Sequence, residues 1–127
     1  MDPLSSAKLV ADARSQIEHM DATAVYGVLT SPEYVIVDVR DSSELESGFI
    51  PGSVHSHRGG LEFALDPASA MKNEQLTSGA TLIMVCGSGG RAALATKLAL
   101  DFGHRAICLD GGMKAWRAAN LDLQPPA

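Results

Sequence analysis

The segment that most constrains the fold runs Thr81-Leu-Ile-Met-Val85, then Cys86, then Gly87-Ser-Gly-Gly-Arg91, then Ala92-Ala-Leu-Ala-Thr-Lys-Leu-Ala-Leu100. The apolar run reads as a buried strand, and the stretch after Arg91 reads as a helix. A thiol therefore stands at a strand tip, above a loop of small residues, facing a helix N-terminus. The unpaired N–H groups there carry partial positive charge and favour an anion. A thiolate is an anion, so this setting predicts a lowered thiol pKa and a nucleophilic, exposed sulfur ringed by main-chain amides.

The same alternation extends along the chain. Ser5 to His19 places Leu9, Val10, Ala13 and Ile17 at helical spacing, which predicts an amphipathic helix outside the main alternation. Asp21 reads as the N-cap of a second helix over Ala22 to Leu29, ended by Ser31-Pro32. Tyr34 to Val39 is a β-branched run and predicts a buried strand. A short capped helix from Ser42 stops at Gly48, Ile50-Pro-Gly-Ser53 is a turn, and Val54 begins a short extended segment. Leu61 to Leu65 and Ala68 to Leu76 read as helical pieces split by Asp66-Pro67. The helix ending at Phe102 is closed by Gly103, Arg105 to Leu109 is a strand, and Gly111 to Ala119 is the last helix. The tail Pro125-Pro-Ala127 is expected to fray. Continuous apolar strands alternating with helices predict an α/β fold, a parallel sheet of about five strands with helices on both faces. Residues 1–20 form an N-terminal helical extension and residues 21–127 a single domain. Ligands of such folds bind beyond the carboxyl ends of the strands, where Cys86 lies.

Composition excludes several classes. The 127 residues suit one domain, and 46% hydrophobic with 20% charged residues is the balance of a soluble globular chain. Two cysteines make no disulfide framework, and free thiols point to a reducing, cytoplasmic setting. The N-terminus lacks the basic start and apolar stretch of a secretion signal. No apolar run approaches the roughly 20 residues of a membrane span. A net charge of −5 and 5% aromatic residues argue against nucleic acid, which attracts basic and base-stacking surfaces.

The Cys86 loop admits three readings. One is an inert buried cysteine before a glycine turn. Another is a dinucleotide fingerprint, Gly87-x-Gly89-x-x-Ala92 with Asp110 ending the next strand. Only 17 residues follow Asp110, too few for a second mononucleotide half. The third is an anion cradle around a nucleophile: glycines at 87, 89 and 90 let N–H groups turn inward, Ser88 adds a hydroxyl, and Arg91 adds a cationic fork.

The last reading gains weight from a resemblance. Cys-x-x-Gly-x-Arg after an apolar strand resembles the active loop of the rhodanese (thiosulfate sulfurtransferase) homology domain, bacterial single-domain type. Val37-Asp-Val-Arg-Asp-Ser-Ser-Glu44 followed by Gly48-Phe-Ile-Pro-Gly-Ser53 is similar to a second family signature. Leu109-Asp-Gly-Gly-Met-Lys-Ala-Trp116 is similar to a third, in the right order. The resemblance spans roughly Asp21 to Leu123 and implies a sulfurtransferase. A Cys86 persulfide would carry sulfane sulfur from a donor such as thiosulfate to a thiol or cyanide, held by Gly87, Ser88, Gly89, Gly90 and Arg91. It implies no cofactor and no metal. Four residues separate Cys86 from Arg91, whereas phosphatase loops of this fold place one more there to enclose a phosphate. The alternatives are a cysteine phosphatase or arsenate reductase, and a non-enzymatic sulfur-carrier or interaction module loaded by a protein. The neutral loop weakens the case for a dianionic donor.

The remaining polar residues divide by role. Asp38, Arg40 and Glu44 read as structural, with Arg40 pairing carboxylates to pin the loops near the site. Asp110 reads likewise. Arg58, within His55-Ser-His-Arg-Gly-Gly-Leu-Glu-Phe63, is a candidate to supply the cation the Cys86 loop lacks. His55 and His57 lack the further ligands a zinc site needs. Cys108 reads as a core residue, and Trp116 with Met113 as packing. Expected partners are a small sulfur donor and a thiol acceptor or sulfur-carrying protein, with no nucleic acid or membrane. The leading helix either docks on its own domain or supports a homodimer.

Overall fold

A computed structural model describes residues 2–125. Helix α1 (Ser6–Arg14) is followed by β1 (Glu18–Met20), α2 (Ala22–Gly27) and β2 (Tyr34–Asp38). A 3-10 segment at Ser42–Ser47 leads to β3 (Val54–His55) and, after a second one at Arg58–Gly60, to α3 (Leu61–Leu65). Then come β4 (Thr81–Val85), α4 (Gly90–Asp101), β5 (Ala106–Leu109) and α5 (Gly112–Ala118). The five strands form one sheet in the order β1-β5-β4-β2-β3, and every pairing is parallel.

Apolar periodicity builds the layers. Alternate residues of β4 point to opposite faces: Leu82 and Met84 join one core cluster, Ile83 and Val85 the other. The first face is covered by Ala13 of α1, Leu61 and Leu65 of α3, and Ala92, Ala95 and Ala99 of α4. The second is covered by Val25 of α2 and by Met113 and Trp116 of α5. The Trp116 indole N–H donates to the Asp122 carbonyl at 2.8 Å, so a fully buried ring keeps its polar atom satisfied. Small alanines on α4 let that helix lie close against the sheet, which brings its N-terminus over the end of β4.

Some expected elements differ. The leading helix ends at Arg14 rather than His19, and Glu18–Met20 pairs with β5 as an edge strand. Ala68 to Leu76 is a series of turns, not a helix. There Asp66, Ser69 and Asn73 each accept a hydrogen bond from the backbone N–H two residues on, at 2.8, 3.0 and 2.9 Å. Such side chains compete with the helical ladder. Helix α1 docks on α4 of its own chain, burying Ala13. Gln124 exchanges backbone hydrogen bonds with Phe49, at 3.1 and 2.9 Å. Of the tail expected to fray, residues 126 and 127 lie outside the described residues. Among the described residues, no helix is long and apolar enough to cross a membrane.

Candidate active site

Strand β4 is the middle strand, and Cys86 follows its last residue. The chain then turns through Gly87 and Ser88 to Gly89, the N-cap of α4. Gly89 has φ +117°, a conformation that side chains resist, and this turn directs its N–H back at the strand end. That N–H donates to Cys86 Sγ at 3.0 Å. This turn brings the sulfur and the head of α4 together.

The neighbouring loop holds this one in place. The first N–H groups of α5 donate outward: Met113 to the Cys86 carbonyl at 2.8 Å and Lys114 to the Gly87 carbonyl at 3.0 Å. Gly112 permits this approach. A side chain there would begin 2.5 Å from the Cys86 oxygen and 2.8 Å from Gly87. The Gly-Gly pair at 111 and 112 is the signal by which the sequence announces that contact.

Cys86 itself is only 1% exposed. This corrects the expectation of an exposed sulfur. The cysteine sits on the pleat face that packs against α4, in one core cluster with Met84, Ala92 and Ala93. Its cover on the loop side is backbone, since the residues up to Arg91 are three glycines and the exposed Ser88.

Arg91 and Glu44 also differ from expectation. Arg91 gives Nη1 to Glu44 Oε2 at 2.7 Å and Nη2 to Glu44 Oε1 at 2.9 Å, a bidentate pair. Glu44 Oε2 also accepts from the Asp41 N–H at 2.9 Å. Chiefly the Arg91 hydrogen bonds, helped by the one from Asp41, hold the Glu44 carboxyl down at about 2, against the opposing effect of partial burial. Glu44 raises the Arg91 pKa in return, chiefly through the same hydrogen bonds. The guanidinium lies beside the loop, since a side chain on Gly87 would begin 3.3 Å from its Nη2. Glu44 therefore orients Arg91, and its carboxylate is not a partner of Arg40.

Arg40 pairs with Asp38 instead. Its Nε reaches Asp38 Oδ1 at 3.0 Å, its Nη2 reaches Oδ2 at 2.8 Å, and both residues are buried. The remaining donors take the carbonyls of Glu44 and Gly48, at 3.2 and 3.0 Å. This closed network ties the 41–48 segment to the end of β2, which carries Glu44 to Arg91.

Arg58 lies at the same end of the sheet: its N–H donates to the Val39 carbonyl at 3.1 Å. Its guanidinium is engaged by Glu62 at 3.1 Å. His55 bonds the Arg40 carbonyl at 2.7 Å, and the His57 ring packs against Gly59 and Gly60. Among the described residues no three His, Cys, Asp or Glu side chains gather as metal ligands.

Cys108 shares the Cys86 face of the sheet, one strand over, and pairs in register with Met84. Burial, reinforced by the nearby Cys86, pushes its thiol up to about 11. It is a protonated core residue. Asp110, exposed at the end of β5, pairs with Arg14 of α1 at 3.0 Å. Sequence spacing could not reveal Arg14 as a neighbour of this site, because 96 positions separate it from Asp110.

The fold that carries this cysteine loop has relatives among known proteins. The chain is similar over 98% of its length, at 33% identity and a TM-score of 0.91, to a Rhodopseudomonas palustris protein of unknown function described as a "possible tyrosine phosphatase", covering 97% of it. A Pseudomonas aeruginosa thiosulfate sulfurtransferase matches 86% of the chain at 27% identity and a TM-score of 0.72, the match spanning 19% of that longer protein. The "Putative sulfurtransferase YtwF" of Bacillus subtilis is 30% identical over 84 residues, 66% of this chain and 74% of that one. The rhodanese-like domain model matches residues 21–119. The chain belongs to the rhodanese-like domain family, as its motifs imply.

Proposed function

We propose that the protein is a sulfurtransferase whose Cys86 carries sulfane sulfur as a persulfide. The observation that carries this reading is the Gly89 N–H donating to Cys86 Sγ at 3.0 Å at the head of α4. A helix N-terminus and an aimed amide favour sulfur as an anion. The Cys86 thiolate attacks the outer sulfur of a donor such as thiosulfate. A new S–S bond forms, the donor's S–S bond breaks, and sulfite leaves with its electron pair. The persulfide Cys86–S–S⁻ has its charge held by the loop amides of residues 87–91. A thiolate or cyanide then attacks the outer sulfur, and Cys86 leaves as the thiolate, so the cycle is ping-pong. No step calls on a cofactor. The acceptor is a small thiol or a sulfur-carrying protein, and free cysteines suit a reducing cytoplasm.

A second reading is favoured by one feature: the loop carries no charge between Cys86 and Arg91, so a protein donor could load Cys86 where thiosulfate does so poorly. The Rhodopseudomonas relative's description raises phosphate-ester hydrolysis as the rival chemistry, which the four-residue loop disfavours by its size. Intact mass after thiosulfate treatment separates these. The expected result is a gain of one sulfur atom, removed by reductant and missing in Cys86→Ser. Loading only by a cysteine desulfurase supports the carrier. Phosphate-ester turnover without any sulfur uptake overturns sulfur transfer.

A further inference from the structure

The sulfur site needs a cation that its own loop does not offer. Three glycines and a serine lie between Cys86 and Arg91, and Arg91 is occupied twice over by Glu44. Arg58 is turned to Glu62. Besides Arg91, a second guanidinium faces the loop, and it comes from α1. Arg14 Nη1 stands 3.5 Å from the point where a side chain on Gly89 would begin, and Val10 stands 3.7 Å from the same point on Gly90. Gly89 is the residue whose N–H reaches the sulfur. Among the described residues the Arg14 guanidinium gives one hydrogen bond, from Nη2 to Asp110 at 3.0 Å, while Nη1 faces the loop. The pair is half-exposed, so solvent and solutes reach it.

We propose that Arg14 is a substrate-binding residue of this site, which receives the anionic head of the sulfur donor, and that Asp110 is its positioning residue. The inference rests on the sulfur-transfer reading above. A thiolate and an anionic donor repel each other, and a guanidinium beside the loop offsets that repulsion while presenting a planar fork to a sulfonate. Asp110 fixes the fork and also tempers its charge. Helix α1 precedes the matched residues 21–119, so this chain recruits its cation from outside that span.

The test separates binding from transfer. Calorimetry with thiosulfate on Cys86→Ser reads anion binding without turnover. Adding Arg14→Ala is expected to weaken it about five- to tenfold, with Arg14→Lys restoring part. Adding Asp110→Asn loosens the fork and is expected to weaken it about twofold, less than Arg14→Ala because a negative charge is removed as well. In the Cys86 protein, Arg14→Ala raises KM for thiosulfate by a larger factor than it lowers kcat, while loading by the uncharged donor dimethyl trisulfide changes less. Thermal melts check that the variants fold, which an exposed ion pair should barely affect. Thiosulfate affinity unaltered by Arg14→Ala, no binding with Arg14 intact, or equal losses with charged and uncharged donors overturns the inference. If Cys86 takes up no sulfur from any donor, the transfer reading fails, and the binding experiment still decides whether Arg14 holds an anion.

Discussion

After β4 the chain runs Cys86-Gly87-Ser88-Gly89 into α4; after β5 it runs Asp110-Gly111 into α5. Both are strand, glycine turn and helix at the carboxyl edge of neighbouring strands, yet their first helical amides go to different places. The turn into α4 sends the Gly89 N–H back to its own strand-end sulfur. The opening of α5 sends the Met113 and Lys114 N–H groups sideways to the carbonyls of Cys86 and Gly87. The α5 head spends its donors on the backbone of the Cys86 loop, whose own amides are the ones proposed to hold an anion. The comparison teaches that two like turns divide the work, one aiming an amide at a sulfur and the other fixing the backbone that carries it.

Glycine substitutions break this comparison with the largest effects. Gly112→Ala places a methyl 2.5 Å from the Cys86 carbonyl, at a residue with φ +58°. Backbone must shift, and we expect a loss on the order of 3 kcal/mol by denaturant unfolding, with transfer falling as well. Gly89→Ala meets strain from φ +117° but only ordinary contacts around it, Arg14 Nη1 at 3.5 Å and Gly111 N at 3.8 Å. It should cost about 1–2 kcal/mol and lower transfer disproportionately, because the amide loses its aim at Sγ. Equal ratios of activity loss to stability loss in the two variants would mean that both loops are merely structural.

Glu44→Gln sharpens the same contrast from the other end of the site. In the folded chain the Arg91 hydrogen bonds hold the Glu44 carboxyl at about 2, below its ordinary 4.5. A depressed folded value means the carboxylate adds stability above the unfolded value, and that this is lost as pH falls from about 4.5 through about 2. Chemical unfolding from pH 6 to pH 2 should therefore show a steeper acid loss in the parent than in Glu44→Gln. Half-exposure of both side chains keeps the difference modest. Identical acid slopes would show that Arg91 is not oriented by Glu44.

Much of this was readable in the residues themselves. Tyr34–Val37 and Thr81–Val85 are β-branched or apolar throughout because both faces of a parallel sheet are covered, so their strands were evident. Glu18–Met20 was not: an edge strand of three residues, bonded on one side to β5, needs no apolar run, and Ile17 carried the helical pattern into it. The Cys86 loop and the Gly111-Gly112 pair are local, and their spacing betrays them. The burial of Cys86 is set by α4 lying on the sheet, which no local pattern encodes. Glu44 and Arg91 are 47 positions apart, and their meeting depends on the Asp38–Arg40 pair anchoring the intervening segment. Contacts made by folding back across the sheet are the part that sequence spacing hides.

The smallest effect belongs to the second cysteine, and it is the sharpest control on the first. Cys108 and Cys86 lie on the same face of adjacent strands and in the same core cluster. Cys108, inside β5, has no helix head above it, and burial pushes its thiol up to about 11, so at neutral pH it is a protonated core atom. Cys108→Ala removes one buried sulfur and should cost about 1 kcal/mol, with persulfide formation on Cys86 and transfer rates kept. Intact mass after thiosulfate and a steady-state rate check this. A folded Cys108→Ala protein that loads sulfur but cannot pass it on would make Cys108 a resolving thiol, and would place part of the chemistry in the strand rather than at the helix head.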